Sequence, residues 1–137
     1  MFMATHLIGF GAGSVESSVS MTAHPFTEAV QASFTFSAQS LGSAPIKKIV
    51  LGIAGERSAA GTYTVSSATV DGSSTSLVKR QTVPSGSETV EIWEVNGITA
   101  TSGTVVVNWS GTMRTCSVGI FECVDAATAY YQAAGSN

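Results

Sequence analysis

Apolar residues in this chain recur with a period of two, and stretches with the period of a helix are scarce. Val30, Ala32, Phe34 and Phe36 alternate with Gln31, Ser33, Thr35 and Ser37. Successive side chains of a strand point to opposite sides, so this is the pattern of a strand with one wet face. Fifteen valines against four leucines point the same way, because Val suits a pleated surface and Leu is the commonest helix-core residue. Such a chain is constrained to build sheets and then to cover their faces.

Further strands follow by the same criterion. Ile46 to Ala54 is continuously apolar after Lys48, as expected for a strand covered on both faces or hidden at a subunit contact, with its polar start exposed. Thr62 to Val70 places Tyr63 and Val65 on one face and Val70 on the other, so a bulge near Ser66 and Ser67 is expected. Asp71-Gly72 is a turn signal, and Ser76 to Arg80 is expected to return as the second arm of a hairpin. Glu88 to Val95 ends at Asn96-Gly97, and two last strands are expected at Thr104 to Trp109, closed by Gly111, and at Arg114 to Val124. The expectation is an all-β chain, an antiparallel jelly-roll-like β-sandwich of about eight strands.

With 137 residues the chain fits one domain. The spacing divides it into residues 1–14, an N-terminal arm or first strand; residues 15–126, the sandwich; and residues 127–137, a C-terminal tail. The arm is apolar, with Phe2, Leu7, Ile8 and Phe10, and serves either as a core strand or as a strap over a neighbouring subunit. It has no Lys or Arg before its apolar stretch, which makes it a poor secretion signal.

Charge is what the chain lacks. Charged residues are 11% of it, against about a quarter in a typical soluble domain, and twenty serines and sixteen threonines take their place as the solvent-facing chemistry. A net charge of −3 gives little like-charge repulsion, which biases the chain toward association. Six scattered Lys and Arg argue against a nucleic-acid partner, and no apolar run reaches the ~18 residues of a membrane helix.

Catalytic and ligand-binding patterns are missing too. Glu91 and Glu94 fall on opposite faces of one strand, so Glu88, Glu91, Glu94 and Glu122 are expected to be solvated edge charges rather than a glycosidase pair. His6 and His24 belong to no metal-binding arrangement, no G-x-S-x-G elbow occurs, and glycines 9, 11 and 13 do not match a dinucleotide fingerprint. Cys116 and Cys123 lie seven residues apart on one expected strand, so they face opposite sides and are expected to remain free thiols. Asn108-Trp109-Ser110 matches a glycosylation triplet, read as chance within a strand. Trp109 shares a face with Val105 and Val107 and is expected in the core. Trp93 shares its face with Glu91 and Val95, a mixed surface that suits the core, a subunit contact or a ligand platform.

The segments KKIVLGIAGER at 47–57, TVSSATVDGSSTSLV at 64–78, ETVEIWEV at 88–95 and GTVVVNWSGTMRTCSVGIFECVDA at 103–126 together resemble small β-sandwich virion proteins of tailed bacteriophages. That resemblance implies a non-enzymatic jelly roll that decorates or cements the capsid exterior as a homotrimer, bound to the major capsid protein and made in the host cytoplasm. It implies no cofactor, metal, nucleic acid or membrane. The interface residues expected on this reading are Phe2, Leu7, Ile8, Phe10 and Trp93. The alternative is a carbohydrate- or receptor-binding module of a tail fibre.

Overall fold

The computed structural model describes residues 18–82 and 87–124, and their regular elements are all strands. In chain order these are β1 (Ser18–Ala23), β2 (Phe26–Ser40), β3 (Lys47–Arg57), β4 (Val65–Val70), β5 (Ser73–Ser74), β6 (Ser76–Thr82), β7 (Glu88–Ile98) and β8 (Ser102–Val124). Every pairing is antiparallel. The all-β, sandwich-like expectation therefore holds. The expected arm at residues 1–14 and tail at 127–137 lie outside the described residues.

β8 organises the molecule. Two strands closed at Gly111 were expected, but the chain runs on as one strand of 23 residues. Straight, it would extend about 75 Å, several times the roughly 14 Å radius of gyration of a domain this size, so it has to bend. The bend is visible in its burial. Val105, Val107 and Trp109 point inward, then Met113, then Cys116, Val118, Ile120 and Glu122, so the inward parity changes from odd to even. Gly111 sits within this bend and is no terminator, because the Tyr63 ring occupies the space a Cβ would need there.

One side of β8 is paired along nearly its whole length by β1 and β2 laid end to end, with Ser18 opposite Val124 and Ser40 opposite Ser102. On the other side β4 takes the first half and β3 the second. The strand order β5-β4-β8-β3-β7-β6 thus bends into two layers that share β8 and β2. Their inner faces enclose one core, with Phe34, Phe36, Val70, Val105 and Val107 from one layer and Ile49, Leu51, Ile53, Trp93, Val118 and Ile120 from the other.

Three local expectations change. The Asp71-Gly72 turn forms, with φ of 49° and 78°, but the hairpin after it is only Ser73–Ser74, and β6 crosses over to pair with β7. Lys47, expected at an exposed strand end, is 3% exposed, its ammonium donating to Ala44 O at 2.8 Å. In β2, Phe34 and Phe36 are buried as expected, but Val30 is 69% exposed and Ala32 is exposed. Register shifts between Glu28 and Gln31 and again between Gln31 and Ser33 change which side faces in. The bulge expected near Ser66 is present, between Val65 and Ser67.

Candidate functional surface

Two of the carboxyl groups expected at solvated edges serve the interior instead. Glu91 is fully buried, with Oε1 accepting the Val65 N–H at 2.9 Å and Oε2 accepting the Trp93 indole N–H at 2.8 Å. It thereby ties the start of β4 in one layer to β7 in the other. Glu122, 9% exposed, accepts the Ala44 N–H at 2.7 Å and holds the loop after β2 over the sandwich. Both satisfy backbone donors that burial would otherwise orphan. Glu94 pairs with Lys48 at 3.0 Å, and Glu88 is exposed.

The thiols are free and face opposite sides. Burial pushes the Cys116 thiol up to about 11, partly offset by the Trp109 indole beside it. That sulfur is a poor acceptor, and among the described residues the buried Trp109 Nε1 has no hydrogen-bond partner of normal geometry. Burial also raises the Cys123 pKa, with Lys48 opposing the rise. No group of three or more His, Cys, Asp or Glu that could hold a metal occurs among the described residues, and no helix there is long and apolar enough to cross a membrane.

The surface that stands out is the outer face of the layer in which β1 and β2, end to end, act as one outer strand beside β8, β3, β7 and β6, five strands wide. Register sets its rows. Met21, Phe121, Val50 and Glu94 form one, and Phe26, Ser117, Ala54 and Val90 another. Between them Gly119 stands opposite Gly52, and the Phe121 ring lies over both glycines. In the Phe26 row the small Ser117 and Ala54 sit between two large neighbours, which hollows out a shallow depression of about 400 Å³. Glu28, Glu56 and Glu88 line its far end, with Arg114 on Glu56 at 3.2 Å.

Apolar exposure concentrates here. Val19, Met21, Phe26 and Val30 are 64%, 59%, 56% and 69% exposed, and all four lie on β1 and β2. Val78, Val90 and Ile92 add to it from β6 and β7. Serine alternation in Ser18 to Ala23, with Val19 and Met21 between, is the signal that could have revealed β1 from the sequence.

Of the expected interface residues, Phe2, Leu7, Ile8 and Phe10 lie outside the described residues. Trp93 is placed in the core, 8% exposed. Its strand neighbour across β3 is the buried Leu51, and Glu91, two residues earlier on the same face, supplies the acceptor its N–H needs to go indoors. The apolar residues that β7 leaves outside are Val90 and Ile92. Trp109 is in the core as expected, at 4%.

Compared with known proteins, the chain matches no family model, no curated protein and no solved structure at a significant level.

Proposed function

We propose that this chain is a non-enzymatic structural subunit that works by binding other protein across the outer face and edge of its five-strand layer. The observation that carries this reading is the alignment of Val19, Met21, Phe26 and Val30, each more than half exposed, along one side of the molecule. Single exposed apolar side chains are ordinary, whereas a row of them on an outer strand marks a contact surface. A coat of Ser and Thr with 11% charge opposes such contacts only weakly.

The finer reading follows from the resemblance of residues 47–126. The assembly is then the head of a tailed phage, the fold a jelly roll, and the protein a homotrimeric decoration or cement protein on the capsid exterior, bridging copies of the major capsid protein. Interfaces of ordinary size, about 1,600 Å² in total, suffice for such bridging, and several contacts made at once multiply its strength. The alternative, a carbohydrate- or receptor-binding fibre module, now rests on Phe26 beside the depression, since Trp93 is indoors.

The test is the protein's position in virions made from the genome that encodes it, by immunogold labelling and electron microscopy. Regular labelling over the head is expected. Labelling of tail fibres, with glycan binding that Phe26→Ala abolishes, would establish the alternative, and a protein missing from the particle would overturn both.

A further inference from the structure

We propose that the edge formed by β1 and β2 pairs with the same edge of a second copy, antiparallel, about a two-fold axis at Phe26. Both strands bond to β8 on one side, and among the described residues no strand pairs with the other side. Open edges are templates for another chain unless blunted by lysines, well-placed prolines, or bulges, and between the register shifts at Met21/Ala23 and Glu28/Gln31 this edge keeps a regular stretch, Ala23 to Glu28. Ser18 to Ser40 contains no Lys, Arg or Asp, and its ionisable residues are His24 and Glu28.

Pro25 does not protect this edge. The Val118 N–H donates to Pro25 O at 3.0 Å, so residue 25 directs its backbone groups toward β8. Residues of an antiparallel strand alternate in this respect, so His24, Phe26 and Glu28 turn their N–H and C=O groups away from β8. The N–H that proline lacks would have pointed inward in any case. The three residues with outward backbone groups also carry exposed side chains.

Their chemistry selects both the partner and the register. An antiparallel copy centred on Phe26 sets Phe26 against its own mate and Glu28 against His24, on both sides of the axis. Glu28 has no ion-pair partner among the described residues. His24 Nε2 lies 2.9 Å from Ser117 Oγ, which leaves Nδ1 to meet the carboxyl across the axis. Moving the register by one bonding step places Glu28 against Phe26 or against Thr22, and the match of carboxylate to imidazole is lost. A second copy of this chain is therefore the partner whose hydrogen-bonding groups fit. The pairing would join two five-strand layers into one sheet and bring the apolar rows of two outer faces together. It deepens the assembly reading and rests on it, but it specifies a two-fold contact, whereas the resemblance implies threefold symmetry.

The test uses variants of the full chain with Cys123→Ser and one introduced cysteine, the buried Cys116 being the other thiol that remains. Directly opposed bonded residues have Cα atoms about 5.5 Å apart, within the roughly 4.4–6.8 Å that a disulfide spans. Mild oxidation is expected to cross-link Phe26→Cys into a dimer and to leave Val30→Cys, which lies within the register shift after Glu28, as a monomer. A second measurement leaves Phe26 intact. Glu28→Lys is expected to weaken dimerisation about tenfold in sedimentation velocity, and His24→Glu with Glu28→Lys to restore it. A chain monomeric at high micromolar concentration, equal cross-linking at both positions, or a trimer without the Phe26→Cys cross-link would overturn the pairing. Virion labelling tests the broader reading separately, so either can fail alone.

Discussion

Replacing Glu91 by alanine perturbs the seam between the two layers at one point. Its carboxyl group accepts the Val65 N–H at 2.9 Å and the Trp93 N–H at 2.8 Å, and the residue is 0% exposed, so water cannot replace it without opening the core. A buried donor left without an acceptor costs about 1–3 kcal/mol, and two donors lose theirs. The truncated side chain also leaves a void. Together these set an expected loss of about 3–6 kcal/mol, a large part of the roughly 5–15 kcal/mol that holds a domain folded. Glu91→Gln keeps the shape and one acceptor oxygen but turns an N–H toward one of the donors, so about 1.5–3 kcal/mol is expected. Urea unfolding followed by tryptophan fluorescence measures both, with Trp93 itself reporting. An alanine variant within about 0.5 kcal/mol of the parent, inside the range of ordinary surface substitutions, would refute the seam.

Cys116 gives a pH prediction. Its pKa stands at about 11 in the folded chain against 9.0 for an ordinary thiol. A pKa raised by folding contributes stability that is complete below pH 9 and lost as the pH climbs to 11, about 2–3 kcal/mol in all. Cys116→Ala should lose less stability over the same window. Gly42 has φ of 86°, and a Cβ on it would meet the Glu122 carboxyl. Gly42→Ala is therefore expected to lose about 2–3 kcal/mol through backbone strain and the displaced bond to Ala44, read as a lower urea midpoint. An unchanged midpoint would mean that Glu122 does not hold that loop.

Period-two alternation was a good guide to which segments are strands and a poor one to which face is buried. It located β3, β4 and β7 within a few residues, along with the Asp71-Gly72 turn and the bulge in β4. It failed where bulges reset the phase, as in β2, where Val30 and Phe34 share a parity but not a face. In β7 either phase is apolar, and the choice of Glu91, Trp93 and Val95 as the inner one depends on donors that arrive from β4. No local pattern contains that information. The continuity of β8 was hidden because Gly111 looks like a terminator until Tyr63 is seen over it. The candidate surface was illegible for a related reason. Whether a strand lies at an edge is a property of the topology, and Val19, Met21 and Phe26 look like core residues until the other side of β1 and β2 is seen to be open.

Assembly of this protein depends most directly on the state of that edge, which amide hydrogen exchange can read residue by residue. In dilute protein the amides of His24, Phe26 and Glu28 should exchange quickly while that of Val118, bonded to Pro25 O, stays protected. Raising the concentration should slow the three outward amides together. Fast exchange that persists in concentrated protein, or protection already complete in a dilute monomer, would contradict this dependence.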